Sequence, residues 1–384
     1  THGQSEPNKM KSKIKKGLIA SAVCLATSIG SSLAMSANAP VFAGSAPSNC
    51  SEIKPAFKKE SSTIAVVNTD NYAFAETEVI LGDYVQKIAK STCSDGMGVF
   101  MHLRKAMDPK DKTILRANFD TLYSMAVLDL TSPATITLPA SDRLQILEVI
   151  SSDSWIPLES SKPGDYKITK EMVGSRFAYV IIRTQVNMQD PADIKRVGAI
   201  QDKINISQES RGEFVQTKNW DRDQMLRMRS DYQKEKEANG INPEDLFGKK
   251  GEISSEMRNM GVAFGWGALT KKGAVYPSIA IPGSGEGLTL TLKDVPMADN
   301  AFWSVTVYDE DGFAQGDDYN INSSFAKKGD NGSYVLNFGK DSTKENFLEI
   351  YPGSNATLRI YSPQEAYFDG SWKVPEIQSS IGLN

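Results

Sequence analysis

Histidine is scarce in this chain of 384 residues, which contains only two. One of them, His2, lies in an N-terminal stretch that we expect to be removed, so His102 would be the only histidine of the mature protein. This scarcity excludes a metal site with two or more histidine ligands and an acid/base pair of histidines. We expect neither a metal nor a cofactor.

The chain also lacks an excess of basic residues, with 43 Lys and Arg against 47 Asp and Glu and a formal net charge of -4. Removal of residues 1–43, which carry five lysines and one glutamate, takes this charge to -8. Phosphate binding needs a basic surface, so we expect no nucleic acid partner. The 40% hydrophobic and 23% charged residues are typical of a soluble globular protein, and the length is sufficient for two domains.

The N-terminal residues have the pattern of a secretory signal peptide. Lysines at positions 11, 13, 15 and 16 precede an apolar run of small residues over 17–35, and Val41, Phe42 and Ala43 follow. This order predicts that residues 1–43 are an N-terminal extension and signal peptide, cleaved after Ala43, and that the protein is periplasmic or secreted. Cleavage after Ala39 and a membrane anchor are the alternatives; serines and threonines within the run disfavour the anchor. We expect no membrane association after cleavage.

Cysteine is rare as well, with three in the whole chain. Cys24 lies in the predicted signal peptide, which leaves Cys50 and Cys93. Two cysteines in an exported protein more often form a disulfide than a metal site. We therefore predict a Cys50–Cys93 bridge that fixes a polar linker, residues 44–62, to the first domain.

Periodic patterns predict a mainly β protein with helices, of the α+β class. An apolar stripe predicts a first helix from Tyr72 to about Lys90, and Asp190 followed by Pro191 marks the start of another. Strand-like runs between them complete an antiparallel β-rich domain over residues 63–206. Residues 207–262 are predicted to form a helical connector, with a capping-box-like start at Asp221 and Gln224.

A second antiparallel domain is predicted over residues 263–384. Apolar and polar residues alternate over 288–293, 303–308 and 357–361, and turn signals such as Asp311-Gly312 separate these runs. Short strands with one face buried are typical of a β-sandwich or jelly roll.

Residues 116–130, RANFDTLYSMAVLDL, are the most distinctive stretch. Arg116, Asn118, Asp120 and Tyr123 precede an apolar run, and polar groups so close to a core need partners or a purpose. His102 lies two residues from Arg104, which places both on one face of an extended strand. The histidine is either a structural residue or a general base, if Asp120 or Asp153 reaches it and raises its pKa.

Arg183 is a charged residue at the end of an apolar run, within the segment VIIRT at residues 180–184. A buried ion pair with Asp153 or Asp120 is the structural interpretation, and an anion-binding role is the functional one. We favour the ion pair.

The chain resembles bacterial proteins that join domain-of-unknown-function family 1254 to domain-of-unknown-function family 1214. In the first half, the resemblance is carried by AET at 75–77, HLR at 102–104, RANFDTLYS at 116–124, RT at 183–184 and DPADIKRVGAIQD at 190–202. In the second, it is carried by GWG at 265–267, AFWSVTVY at 301–308, YNIN at 319–322, DNGS at 330–333, LRIYSP at 358–363 and DGSWKVP at 369–375. It covers nearly the whole mature chain.

The resemblance implies an architecture of two β-rich domains, the second like a jelly roll, and it implies no particular reaction. This sequence departs from the family pattern at Phe119, where relatives commonly have arginine, and at Lys105, where an acidic residue is frequent. It also has Met257 and Arg258 where relatives often place a histidine ahead of Gly-Trp-Gly. A histidine-dependent site of the family would therefore be incomplete here.

Three functions stay open at this point, and we favour the first. An exported binding protein would hold a small or saccharide-like ligand between its two domains, with aromatic stacking and polar side chains at the site. The ligand-binding candidates are Arg104, Arg116, Asn118, Asp153, Arg183, Trp266, Trp303, Tyr308 and Tyr361.

The second function is a metal-independent hydrolase or lyase. His102 or Asp120 would be the base, Tyr123 the acid, and Arg104 or Arg116 would stabilise negative charge. The third is a purely structural β protein. The sequence leaves open whether the protein is an enzyme, and it leaves open the oligomeric state, a homo-oligomer included.

Overall fold

The computed structural model describes residues 50–283 and 285–380. The predicted N-terminal extension and signal peptide lie outside these ranges. Cys50 and Cys93 form the predicted disulfide, which confirms that pairing. Within the described ranges, every helix is too short or too polar to cross a membrane.

The first half of the described chain is mainly β with helices. Its helices are α1 (Tyr72–Thr92), α2 (Lys170–Val173), α3 (Pro191–Gln201), α4 (Arg222–Ala238) and α5 (Ser255–Gly265). Its strands are β1 (Phe57–Lys59), β2 (Ile64–Ala65), β3 (Met101–His102), β4 (Thr121–Asp129), β5 (Ala134–Leu138), β6 (Gln145–Ser151), β7 (Leu158–Ser160), β8 (Gly164–Ile168), β9 (Phe177–Gln185), β10 (Asn205–Gln208), β11 (Phe214–Gln216) and β12 (Asn219–Trp220). Short 3-10 turns cover Cys50–Glu52 and Pro243–Leu246.

A five-stranded antiparallel sheet, in the order β3-β4-β9-β6-β7, forms the centre of this half. Alternate residues of β4 and β9 point to opposite faces, and both faces are buried. Met125 and Ile181 pack on one face against the apolar stripe of α1. Ala126 and Ile182 pack on the other face against a three-stranded sheet of β10, β5 and β8. The sheet therefore separates two different sets of side chains.

The second half is a β-sandwich. Its strands are β13 (Ala274–Val275), β14 (Ser278–Ala280), β15 (Leu288–Leu292), β16 (Trp303–Tyr308), β17 (Asn320–Asn322), β18 (Tyr334–Gly339), β19 (Phe347–Glu349), β20 (Asn355–Tyr361) and β21 (Gln378–Ser379), with one short helix, α6 (Glu365–Phe368). One sheet has the order β13-β20-β16-β17, with β14 also on β20, and the other has the order β19-β18-β15-β21. Leu290, Val305, Phe338 and Leu358 are among the residues that fill the space between them.

The range 207–262 differs from the predicted helical connector. It includes strands β11 and β12 before α4 begins with the predicted cap, in which the Asp221 side chain accepts a hydrogen bond from the Gln224 backbone N–H. Met225 of α4 and Met260 of α5 lie in the same core as α1. These helices form an outer layer of the first half, because their apolar residues are buried against α1.

The sheet of β16 and β20 also differs from the expectation of one buried face. All six residues of β16 are buried. Trp303, Val305 and Val307 point into the sandwich, as predicted. Ser304 and Tyr308 point the other way and hydrogen bond to residues of the first half, so the polar face contacts protein and not solvent.

Candidate functional site

The polar stretch before β4 lies where the first half meets the polar face of the sandwich. Arg116 has a positive φ of 49°, and its backbone N–H donates to the carbonyl oxygen of Gly312 at 2.7 Å. Its side chain donates to Asn355. Asn118 accepts a hydrogen bond from the backbone N–H of Asp120 at 2.7 Å. This turn directs the Asp120 carboxylate toward the second half.

Asp120 is fully buried and accepts hydrogen bonds from three residues of the second half. Its Oδ2 accepts from Ser304 Oγ at 2.5 Å and from the Tyr361 hydroxyl at 2.7 Å. Its Oδ1 accepts from Asn320 Nδ2 at 3.3 Å. Asn118 Nδ2 donates to the same Tyr361 hydroxyl at 2.6 Å. We call these residues, together with Arg359 and Tyr308, the interface network.

Arg359 supplies the positive charge of the interface network and is 1% exposed. It donates to Thr306 Oγ1 at 3.1 Å, to the Tyr308 hydroxyl at 2.7 Å and to the Arg116 carbonyl at 3.1 Å. Burial acts to lower the pKa of Arg359, but Tyr308, Tyr361 and Asp120 outweigh burial and raise it. Burial, with the nearby Asp120, raises the pKa of Tyr361 far above its ordinary value. Arg359 is thus cationic and Tyr361 is a neutral hydrogen-bond donor at physiological pH.

Tyr123 and Arg183 face each other across β4 and β9, on the face that packs against α1. The Arg183 guanidinium lies 5.7 Å from the centre of the Tyr123 ring. Arg183 forms the buried ion pair that the sequence indicated, but its partner is Glu148 at 3.3 Å, and neither Asp153 nor Asp120. Strand register explains this, because β6 pairs with β9 and both of these side chains point to the same face. Arg183 also donates to the Gly267 carbonyl at 2.5 Å.

His102 and Arg104 lie at the edge of the sheet and bond to other residues of the first half. His102 Nδ1 and Ser124 Oγ are 2.6 Å apart, and neither Asp120 nor Asp153 bonds to the ring. Strand β3 ends at His102, so Arg104 lies beyond it and donates to the Gly198 carbonyl and to Asp202, both at 2.5 Å. Burial, with a smaller contribution from Arg104, lowers the pKa of His102 from 6.5 to about 4. The ring is therefore neutral at physiological pH and a weak base.

The three residues proposed as catalytic are not brought together. His102 bonds to Ser124 on one face of the central sheet, whereas Tyr123, the neighbour of Ser124, points to the opposite face. Asp120 lies before β4 begins, with its carboxylate bonded to the second half. Within residues 50–283 and 285–380, no group of three or more metal-binding side chains could hold an ion.

The aromatic residues proposed for stacking are all buried. Trp266 donates to Thr77 Oγ1 at 3.0 Å, Trp303 packs edge-on against Tyr334, and Tyr361 stacks on Phe302 at 4.2 Å. Tyr308 donates to the Ala117 carbonyl at 2.6 Å. These contacts are structural, and a ligand would not reach the rings without rearrangement.

Two open spaces lie elsewhere and are lined mainly by residues that the sequence did not single out. The first, which we call the interhalf cleft, has a volume of about 220 Å³ and lies between the halves. It is lined by Val186, Asn187, Gln189, Asp318, Asn320, Ile321, Asn322, Phe325, Ala326, Asn346 and Phe347. The second lies beneath α1 and includes Asp153, the one proposed ligand-binding residue found in either space. A sequence signal for the first was the YNIN segment at 319–322.

The fold and the interface network define an α+β protein of two β-rich halves, each with mainly antiparallel sheets, that share a buried polar boundary. Residues 97–208 match the family model described as "Protein of unknown function (DUF1254)", and residues 283–365 match "Protein of unknown function (DUF1214)". The chain therefore carries both domains in the order that its sequence predicted. Asp120 lies in the first matched region, and Ser304, Asn320, Arg359 and Tyr361 lie in the second.

A solved structure shares this fold. The VPA0106 protein from Vibrio parahaemolyticus is 16% identical, with a TM-score of 0.59 over 81% of this chain and 97% of that chain. A putative uncharacterized protein from Burkholderia cenocepacia is 11% identical, with a TM-score of 0.40 over 80% of this chain and 86% of that chain. No curated protein matches the chain.

Proposed function

We propose that this protein acts outside the cytoplasm and binds a small polyhydroxylated ligand, such as a single sugar ring, in the interhalf cleft. The observation that carries the proposal is the composition of the cleft, in which both halves contribute amide side chains beside two phenylalanines. The Cys50–Cys93 disulfide supports a location outside the cytoplasm, because disulfides persist in oxidising compartments.

Amide and carboxylate groups suit hydroxyl ligands. An amide side chain offers two donors and an acceptor, so it can bond to a hydroxyl group in either direction. Asn187 and Gln189 follow β9, and on the facing wall Asp318 precedes β17 and Asn320 begins it. Gln189 also donates to the Asp317 carbonyl, which joins the two walls at one edge. Burial, with the nearby Asp317 and Glu349, raises the pKa of Asp318.

The phenylalanines would supply an apolar surface for the C–H face of a sugar. Phe325 is 41% exposed, so part of its ring is open to a ligand in the cleft. The Arg143 guanidinium lies 5.1 Å from the centre of its ring and steadies it. Arg143 is in turn held by Asp193, so the ring is packed against a fixed group.

The size of the cleft limits the ligand. Its volume of about 220 Å³ is below the roughly 300–1,000 Å³ of sites for drug-sized molecules. We therefore expect a ligand of one ring and not an oligosaccharide held along its length.

Titration calorimetry of the full chain with a panel of pentoses, hexoses and sugar acids tests this proposal. We expect at least one member to bind, and we expect Gln189→Ala and Asp318→Asn each to weaken it by about tenfold, because each removes hydrogen bonds within a partly desolvated cleft. Gln364→Ala is the matched control, since this exposed amide does not line the cleft.

Two outcomes would overturn the proposal. One is a panel in which no member binds to the wild type. The other is a ligand whose affinity is unchanged in both cleft variants, because it would then bind elsewhere. Thermal unfolding of each variant checks that a lost affinity does not come from a lost fold.

A further inference from the structure

A second space lies beneath α1, and we call it the α1 cavity. It has a volume of about 440 Å³, within the range of small-molecule sites. Phe74 and Leu81 of α1, Phe177 of β9, and Phe214 and Val215 of β11 supply its apolar walls. It contains no residue of the interhalf cleft, so it is independent of the proposed function.

Glu78 gives this apolar cavity a buried carboxylate. The residue is only 4% exposed, and its carboxylate accepts hydrogen bonds from Thr217 N–H at 2.6 Å, Thr217 Oγ1 at 2.8 Å and Trp220 Nε1 at 2.7 Å. Glu76, two residues earlier on α1, is paired with Arg229 at 2.7 and 2.9 Å. Among the described residues, no basic side chain forms an ion pair with Glu78, so its charge lacks the compensation that Glu76 has.

Two further carboxylates line the cavity. Glu60 and Asp153 line it, together with Arg176. The Arg176 guanidinium is already engaged by Asp129, at 3.0 and 2.9 Å. Arg258 donates to the backbone carbonyl of Asp153 at 3.1 Å and does not line the cavity. The lining therefore holds three carboxylates and one guanidinium that Asp129 already pairs, and such an excess of negative charge between apolar walls attracts cations.

Three aromatic rings complete the arrangement. Phe177 and Phe214 pack with centroids 4.7 Å apart, and Phe74 lies edge-on to Trp220, which bonds to Glu78. The faces of aromatic rings attract cations, and rings beside carboxylates are a recurring way to bind organic ammonium groups. Arg176 already places its guanidinium 4.8 Å from the centre of the Phe177 ring at the rim.

We propose that the α1 cavity binds an apolar organic cation, an amine or quaternary ammonium with a hydrocarbon body. Glu78 receives the positive group, and the phenylalanine walls bury the hydrocarbon. Neutral and anionic ligands of the same shape lack the interaction with Glu78.

Three probes that share a shape and differ in charge test this assignment: 4-phenylbutylamine, 4-phenylbutanol and 4-phenylbutyrate. Titration calorimetry of the full wild-type chain at pH 7 should give an affinity for the amine about tenfold or more above that for the alcohol, with the carboxylate weakest. Equal affinities for amine and alcohol would overturn the cation assignment, and so would the absence of amine binding.

Variants locate the site. Glu78→Gln should remove the preference for the amine over the alcohol, whereas Glu365→Gln, which replaces an exposed carboxylate outside the cavity, should leave it unchanged. If Glu78→Gln does not fold, Asp153→Asn and Phe74→Leu serve instead, each expected to weaken the amine severalfold. Amine affinity that survives every folded cavity variant would overturn the proposal. The cleft variants Gln189→Ala and Asp318→Asn should not alter amine binding, so the two proposals can fail separately.

Discussion

The two polar regions beside β4 differ in where their partners come from. At the Asp120 end, the carboxylate is fully buried and its partners Ser304 and Tyr361 come from the second half, 184 and 241 positions later. At the His102 end, the ring is half-buried and its partner Ser124 belongs to the same sheet. Both regions place polar groups near a core, but of the two only the Asp120 end connects the halves. Its density of charged and amide groups is explained by that connection and does not indicate catalysis.

The largest effect should come from removing the charge at the Asp120 end. Asp120→Ala removes a carboxylate that stabilises the buried Arg359 cation and leaves the hydroxyl groups of Ser304 and Tyr361 without this acceptor. We expect a loss of about 3–5 kcal/mol in the free energy of unfolding, measured by urea denaturation. A loss below about 1 kcal/mol, the range of exposed pairs, would contradict a structural role for the interface network.

A pH dependence should distinguish the His102 end. The pKa of His102 falls from 6.5 to about 4 on folding, so the unfolded chain takes up a proton at this residue between these values and the folded chain does not. The neutral ring therefore contributes up to about 3 kcal/mol to the free energy of unfolding above pH 6.5. This contribution is lost as the pH falls from 6.5 toward 4. Denaturation of the wild type and of His102→Gln from pH 4 to pH 7 measures it.

The variant should lack this part of the pH dependence. If wild type and His102→Gln lose stability in parallel between pH 6.5 and pH 4, the ring is not held neutral by burial.

Removal of one hydroxyl group should sharpen the comparison. Tyr361→Phe keeps the stacking on Phe302 but removes the group that joins Asn118 to Asp120. A loss of about 1–3 kcal/mol is expected, because buried polar groups are left without a partner. Tyr334→Phe is the control. Its ring also packs against an aromatic residue, Trp303, but its hydroxyl group is not part of the interface network. Similar losses in the two variants would count against the assigned role of Tyr361.

The smallest effect is expected for the exposed pair at the His102 end. Arg104 and Asp202 have 38% and 65% exposed side chains. Arg104→Ala should cost about 0.2–1 kcal/mol, because solvent screens such pairs. Urea denaturation at low and high salt is the measurement, and a cost of several kcal/mol that salt does not reduce would show that this end is not a surface feature.

Much of the fold was accessible from the sequence because its helices and strands carry regular patterns. Leu81, Val85 and Ile88 marked α1, which extends two residues beyond the predicted end at Lys90. Asp190 caps α3 as predicted, by accepting from the backbone N–H of Ala192. The alternation in β16 indicated which side chains share a face, but not whether the polar face would meet water or protein.

The candidate site was less accessible. The ion pair of Arg183 was predicted in kind but with the wrong partner, because Glu148 was hidden in an apolar run whose register with β9 the sequence does not give. His102 and Tyr123 looked like one site until strand pairing placed them on opposite faces. Asn187, Gln189 and Asp318 belong to irregular segments before and after strands, where no periodicity indicates a shared cleft.

The interface network also has a consequence for the order of folding. Tyr361 must be synthesised and placed in β20 before Asp120 acquires its last partner, although Asp120 lies in the first third of the chain. Contacts between such distant positions form slowly and late. Until the sandwich docks, a nascent first half would therefore expose the unpaired Asp120 carboxylate and the segment that leads into β4. Fragments that end before β20 should for this reason be the forms of this protein most prone to aggregate.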